Sequence, residues 1–488
     1  MIRTPLHLRV RQALECYSDR TVVESASAGW KMSGDGLLAG ASHLLQVLRP
    51  HTGRPVVAYM SKSPTFYAFL ACSFVNRLRF CPLDTANPIA RLIDVTRQLP
   101  DPLILVDSDD VLTRVREHTD DCVLVAVPSQ TAGWRSAGPI DDSCPTDACY
   151  YIATSGSTGT PKLVEVPHER TLPFIDWAVD FYGIDRSTRW AQFSSVGFDL
   201  ALADFLSVVC GGGMLVSLSS QMDRIRPART VARCRITHWH SVPSMIPYFL
   251  RDPDPATAST CRVFSFCGEP LMRTDAESLA ERYQHARIIN TYGPTETTLF
   301  CSFYEYSPAE PAPAEPSLPI GQPIPTWNFV LVPDEGALRL IILSDNVARG
   351  YAGVRSAQFS TVDLFGRPMS AFDTGDYFRR AGPHLYFSHR RDGLVKVQGN
   401  RVDVGEIEAA AKRSGLVNPV AVVVGDAIAL AAEGDRQPEG EVIDELSRYL
   451  PRWALPRTVV FVPTHPRTVN GKLDRRAVLE TMEKQRDR

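Results

Sequence analysis

The chain has 488 residues, 52 Lys and Arg against 55 Asp and Glu, a formal net charge of −3 and 44% apolar residues. That length calls for roughly three folding units, and so even a balance of charge excludes a global field for nucleic acid or anionic lipid, leaving partners to be recognised locally. Eleven cysteines lack C-x-x-C pairs and metal-ligand spacing, the N-terminus has no leader pattern, and no run approaches the roughly 20 apolar residues of a membrane helix, so a cytoplasmic protein with reduced thiols and no membrane or nucleic-acid partner is expected.

Residues 1 to about 150 alternate helical patterns with short apolar runs. Asp35 to Leu48 has helical periodicity, whereas Pro55–Tyr59, Pro102–Val106 and Val123–Val127 read as buried strands. Such alternation predicts parallel sheets covered by helices.

Tyr151-Ile-Ala-Thr-Ser-Gly-Ser-Thr-Gly-Thr-Pro-Lys162 follows, then Leu163-Val-Glu-Val-Pro-His168. Gly156 and Gly159 lie among the hydroxyl residues Thr154, Ser155, Ser157 and Thr158 and lead to Lys162, the composition of a loop that wraps phosphates with N–H and O–H groups. An exposed Ser/Gly linker has a similar composition, but apolar residues enter and leave this one, so two strands pin its ends. Pro161 stands before the lysine and no Ser or Thr follows it, which excludes a P-loop.

This stretch resembles the phosphate loop of the adenylate-forming superfamily, which includes amino-acid adenylation domains, acyl-CoA synthetases and luciferases. A second signature agrees: Arg287-Ile-Ile-Asn290-Thr-Tyr292-Gly-Pro-Thr-Glu296 brings an amide, an aromatic ring and a carboxylate together across a Gly-Pro turn. Those groups suit ATP, with Tyr292 stacking on adenine, Asn290 pairing with its edge and Glu296 holding Mg²⁺ through a hard oxygen. Thr291 and Gly293 belong to the same nucleotide-binding run.

The resemblance implies further roles in chain order. Phe80-Cys-Pro-Leu-Asp84 matches a family segment, although Cys81 and Arg77-Leu78-Arg79 depart from its small, glycine-containing form. In Phe198-Asp199-Leu-Ala-Leu-Ala, the start of a helix ending at Gly211–Gly213, the acid could be a cap or a dipole partner. In amino-acid adenylation domains the matching aspartate holds the substrate's α-ammonium group, which would make Asp199 the residue separating an amino-acid activator from an acyl- or aryl-acid ligase. His238 and His240, on one strand face, have no third ligand for a metal; the family places a pocket wall at His240. After Cys261-Arg-Val-Phe, Ser265 and Cys267 fall on the substrate side and Gly268-Glu269 near the nucleotide. The remaining pocket positions are Leu200, Ala203, Thr291, Leu299 and Phe300.

A Pro-rich stretch, Ser307–Pro319, reads as an exposed loop before a smaller β-rich unit. Gly336-Ala337 stands where the family has Gly-Glu. Asp376 matches the aspartate that grips the ribose hydroxyls. In His389-Arg390-Arg391-Asp392, Arg390 would contact phosphate and Asp392 would be a hinge, with His389 replacing a family glycine. Gly399 would leave room for a pantetheine arm, and Arg401 is a second phosphate candidate. Near the end, Asn470-Gly471-Lys472-Leu-Asp474-Arg475 carries the match to the family's catalytic lysine, Lys472, beside Glu296 and Thr154 as the catalytic set.

The fold implied is α/β: a large N-terminal domain, 1–391, of two αβαβα-type subdomains plus a β-rich subdomain, and a small mobile α+β C-terminal domain, 392–488. The activity implied is ATP- and Mg²⁺-dependent activation of a small α-amino acid as aminoacyl-AMP, then transfer to the phosphopantetheine thiol of a separate carrier protein, since no carrier domain follows Lys472. The pocket resembles that of stand-alone D-alanine–carrier protein ligases, but Ala203, His240, Ser265 and Phe300 depart from their mainly apolar or smaller lining, which favours a small, polar, serine-like side chain. An acyl- or aryl-CoA ligase and a non-catalytic nucleotide-binding partner protein are the alternatives.

Overall fold

Strands buried on both faces read as unbroken aliphatic runs, and Val56–Tyr59 and Leu103–Val106 are of this kind, buried at every position. The computed structural model describes residues 4–119, 123–126, 148–154, 161–252, 259–310, 315–334, 336–364, 366–390, 395–397, 400–424, 427–466 and 475–486. It is the α/β fold expected, built on large, mostly parallel sheets. The chain divides into two units: Met1–Asp84 with Gln98–Ala153 and Leu163–His389, and Thr85–Arg97 with Thr154–Lys162 and Arg390–Arg488.

In the first unit one sheet runs, in spatial order, Gly350–Tyr351, Lys162–Pro167, Cys149–Thr154, Phe80–Leu83, Val56–Tyr59, Leu103–Val106 and Val123–Ala126. The helix Pro64–Val75 is buried around almost its whole circumference, as a helix in the middle of a large core must be. It starts sharply because Pro64 fixes its first turn and the Ser63 hydroxyl accepts from the Phe66 N–H at 3.2 Å.

A second sheet contains the parallel strands Thr21–Ser25, Met214–Ser217, Arg189–Gln192, His238–Ser241, Val263–Phe266 and Arg287–Tyr292, closed by antiparallel neighbours on both edges. Its register sets His240 beside both Gln192 and Ser265, and Phe266 beside Asn290. Trp239, Phe249, Phe264 and Tyr283 fill the core on one face. A third, antiparallel sheet joins Asn328–Asp334, Ala337–Leu343, Arg367–Ala381 and Phe359–Leu364.

The second unit has its own core, around Ile407, Leu430, Leu446 and Leu450. Its sheet pairs Val417–Val424 antiparallel with Ala427–Glu433, which pairs parallel with Thr458–Val462. Helix Val404–Arg413 is capped by Asp403, which accepts from the Gly405 N–H at 2.8 Å. That helix is tied to the helix Ile89–Thr96 by a buried ion pair, Arg91 to Glu406. Residues 85–97 therefore pack with segments more than 300 positions later, a grouping that the pattern of apolar residues does not announce.

Candidate active site

In open α/β sheets the carboxyl ends of parallel strands are where ligands bind, because the following loops splay apart there. Here those ends carry Gln192, Ser217, His240-Ser241, Ser265 to Glu269 and Asn290 to Tyr292. Lys62 braces this edge: its ammonium, buried, donates to the carbonyls of Gln192 at 2.6 Å, Phe193 at 3.0 Å and Leu218 at 3.4 Å. Tyr67 donates its hydroxyl to the Gln192 side chain.

The turn after Arg287–Tyr292 is drawn tightly back on the chain. Cys301 donates its N–H to the Tyr292 carbonyl at 2.9 Å, and a Cβ on Gly293 would stand 2.5 Å from Phe300 Cα, so only glycine fits. Thr298 and Leu299 both adopt left-handed backbone, φ +64° and +70°. Non-glycine residues in that region cost about 1–3 kcal/mol each and persist where surrounding structure over-determines them. The surrounding structure is present: Trp327 Nε1 donates to the Thr297 carbonyl at 3.0 Å, and the Thr298 hydroxyl donates to the Asn346 carbonyl.

This turn fixes Glu296, fully buried, whose Oε1 accepts from the Tyr351 hydroxyl at 2.8 Å. It also joins the two halves of the site, because Thr295 hydrogen-bonds Asp199. Asp199 opens the helix Asp199–Gly211, which ends in the left-handed Gly212. Its carboxyl is 7% exposed, and no cationic side chain among the described residues pairs with it. Burial pushes its pKa up to about 6 against the opposing bonds from Thr295 and the Leu200 N–H, and the nearby Glu296 adds to the rise.

Around the adenine and ribose candidates, the Tyr292 hydroxyl donates to Asp376 Oδ2 at 2.5 Å, and its ring meets Phe378 edge-on at 5.5 Å. Asn290 is buried and gives one amide N–H to the Pro319 carbonyl at 2.8 Å, leaving its oxygen for another donor. The Thr291 hydroxyl donates to the Phe266 carbonyl at 3.0 Å. Gly268 has φ +97°, and Glu269 accepts from the Ser244 N–H at 2.9 Å, so it ties its loop to the helical turn Pro243–Met245.

The side-chain pocket candidates lie in the protein interior. His240, Ser265, Cys267, Ala203, Leu299 and Phe300 are all buried, and Leu200 is partly buried against the same core. Phe300 is wedged edge-on against Phe174 at 4.7 Å and lies 5.8 Å from the His240 ring. Three residues that the sequence did not single out complete this wall. Tyr182 holds the Ser265 hydroxyl at 2.9 Å, and Asp204 takes hydrogen bonds from Trp190 Nε1 at 2.9 Å and His240 Nδ1 at 3.0 Å. The only sequence signal for Asp204 was an acid in an otherwise apolar helix.

In the second unit the Thr154 hydroxyl donates to the Lys162 carbonyl at 3.2 Å, drawing together the two ends of the phosphate-loop candidate. Arg390 ends the strand His384–Arg390, half-buried, and Arg401 lies in the short strand Asn400–Val402. Ser155, Gly156, Ser157, Thr158, Gly159, Asp392, Gly399 and Lys472 lie outside the described residues. No helix among the described residues is long and apolar enough to cross a membrane.

Glu296 is the candidate carboxylate for magnesium. No cluster of three or more His, Cys, Asp or Glu side chains among the described residues forms a metal cage, and Mg²⁺ normally takes one or two carboxylates and fills its shell with water and substrate phosphates. Glu296, with Tyr351 on one oxygen, is a carboxylate of that kind.

The chain is 28% identical over 461 residues, 87% of this chain and 89% of the relative, to a D-alanine–D-alanyl carrier protein ligase of Bacillus licheniformis. It is 27% identical over 517 residues, 98% and 99% of the two chains, to an L-proline–[L-prolyl-carrier protein] ligase of Pseudomonas fluorescens. In fold it is similar to the Vibrio cholerae adenylation domain AlmE, solved with glycyl-adenosine-5'-phosphate, at a TM-score of 0.82, 18% identity and 99% coverage of each chain. The family described as AMP-binding enzyme matches residues 10–352, and the chain belongs to it.

Proposed function

We propose that this enzyme activates a small α-amino acid with ATP and passes it to the phosphopantetheine thiol of a separate carrier protein. The observation that carries the reading is Asp199, a buried carboxylate without a cationic partner among the described residues, hydrogen-bonded to the turn that bears Glu296. Leaving a charge buried and unpaired is costly. A substrate ammonium group would compensate it, placing the amino acid's carboxylate next to the nucleotide. The carrier-protein ligases among the relatives support the same reading.

In the first half-reaction a carboxylate oxygen of the amino acid bonds to the α-phosphorus of ATP, and the bond from that phosphorus to the bridging oxygen breaks, releasing pyrophosphate. Such a step depends on positioning and charge neutralisation more than on covalent help from the protein. Asp199 orients the substrate by its ammonium; Tyr292 offers a ring face to adenine, and Asp376 offers its carboxylate to the ribose hydroxyls. Glu296 would hold Mg²⁺, which when bound supplies positive charge to the phosphates. The stretch Thr154–Lys162, with Arg390 and Arg401, is assigned to phosphate, and Lys472 to the α-phosphate and the attacking carboxylate. In the second half-reaction the thiol sulfur bonds to the acyl carbon and AMP leaves, with Asp392 as hinge and Gly399 flanking the pantetheine.

The test is ATP–pyrophosphate exchange with the proteinogenic amino acids in both enantiomers. Exchange that depends on an α-amino acid is the expected result. Exchange supported only by acids lacking an α-amine, with thioester formation on CoA, would transfer the enzyme to the acyl- or aryl-CoA ligases.

A further inference from the structure

Two polar atoms beside the candidate pocket are buried yet lack a hydrogen-bond partner: Nε2 of His240 and Oδ2 of Asp204. Both residues are almost fully enclosed, 2% and 1% exposed. A buried polar group left unmet costs about 1–3 kcal/mol and calls for an explanation. The other edge of the histidine is fully occupied, because Nδ1 lies 3.0 Å from Asp204 Oδ1, which also accepts from Trp190 Nε1. Trp190 and Phe300 both meet the imidazole edge to face, at 6.0 Å and 5.8 Å, so the ring is held in position. Its neighbour across the sheet, Ser265, is already engaged with Tyr182. Of the two open atoms, His240 Nε2 is the one on the strand beside Ser265, where the side-chain pocket candidates lie.

We propose that His240 Nε2 recognises a hydroxyl group on the amino-acid side chain, and that Asp204 is the positioning residue that fixes the imidazole for it. The proposal rests on the amino-acid-activating reading above and narrows its substrate to short β-hydroxy α-amino acids. With Nδ1–H donated to the Asp204 carboxylate, a neutral imidazole offers the Nε2 lone pair to a hydroxyl proton; a protonated imidazole offers Nε2–H to the hydroxyl oxygen. A hydroxyl meets either state. The methyl of alanine or the hydrogen of glycine meets neither, and leaves Nε2 unsatisfied. Phe300, fixed against Phe174 and Trp177, sets the limit on length.

Sites that hydrogen-bond a substrate hydroxyl reject the analogue lacking it far more strongly than an apolar pocket rejects a missing methylene. The experiment measures kcat/KM for pyrophosphate exchange with serine, threonine, alanine, glycine and 2-aminobutyrate, for the wild-type enzyme and for Asp204→Asn and Asp204→Leu. We expect the wild type to favour serine or threonine over alanine and 2-aminobutyrate by at least about 100-fold. Asp204→Asn, which keeps an acceptor for Nδ1–H, retains most of that ratio. Asp204→Leu moves it towards one, through a higher KM for the hydroxylated substrate with a smaller change in kcat. A wild-type enzyme that uses alanine, glycine or 2-aminobutyrate as well as serine and threonine overturns this proposal and leaves amino-acid activation standing. Exchange with no α-amino acid overturns both. The wild-type comparison decides the matter even if Asp204→Leu does not fold.

Discussion

Replacing Asp199 by asparagine separates the enzyme's stability from its activity. Burial holds the Asp199 carboxyl up at about 6, against an ordinary 3.8. The sign follows from which state holds the proton. Below about pH 4 the carboxyl is protonated in both folded and unfolded chains and nothing is lost; between about 4 and 6 the unfolded chain releases its proton while the folded chain keeps it, so stability falls as pH rises. Above about pH 6 the full penalty applies, and 2.2 pH units, 6 minus 3.8, correspond to about 3 kcal/mol. The uncharged amide of Asp199→Asn carries no such penalty and can still accept from Thr295. The variant should therefore be more stable than the wild type at pH 7.5 by up to about 3 kcal/mol, and the difference should vanish near pH 4. It also loses the ammonium's partner, a deletion that costs about 3–5 kcal/mol for a buried pair, so kcat/KM for the amino acid should fall by about two to four powers of ten. In the wild type, KM for the amino acid should rise as pH drops below about 6, where Asp199 takes up a proton. Urea unfolding at the two pH values and pyrophosphate exchange at pH 7.5 read both effects. A variant that is less stable at pH 7.5, or that exchanges at the wild-type rate, refutes the reasoning.

Two further perturbations test the frame around the site. Gly293→Ala puts a methyl 2.5 Å from Phe300 Cα and 2.7 Å from Cys301 N, backbone atoms that cannot swing away; a loss of about 1–3 kcal/mol is expected, with a lower melting temperature and weakened exchange, and an unchanged melt would contradict the close approach. Arg91→Met strands the buried Glu406 carboxylate, which burial already pushes upward in pKa despite the guanidinium beside it; the variant should lose about 3–5 kcal/mol by chemical denaturation, and adding Glu406→Leu should recover most of it. Equal losses in the single and double variants would show that the pair is not what joins helix Ile89–Thr96 to helix Val404–Arg413.

The parts of the site that lie close together in sequence were legible there. Asn290, Tyr292 and Glu296 fall within seven residues, and the strand pattern before Gly293 places them at a sheet's carboxyl edge, as found. Asp199 was identifiable as the start of a helix, although its burial and its bond to Thr295 required coordinates. Pairings between distant elements were hidden. Asp204 meets His240 only because the helix Asp199–Gly211 lies beside a strand 36 positions on, and Tyr351 reaches Glu296 from 55 positions away. No local pattern names either partner. The apolar alternation in residues 1–150 gave three of the strands to within a residue, but could not show that 85–97 would pack with the C-terminal segment, because that grouping rests on contacts between remote residues, two ion pairs among them.

The central claim is that a substrate ammonium group completes the buried carboxylate at Asp199. The most direct measurement compares pyrophosphate exchange driven by the preferred α-amino acid with exchange driven by the same acid lacking its α-amine, at matched concentrations and pH 7.5. The account predicts robust exchange with the first and a loss of at least about 100-fold in kcat/KM with the second. Equal exchange with both would contradict it.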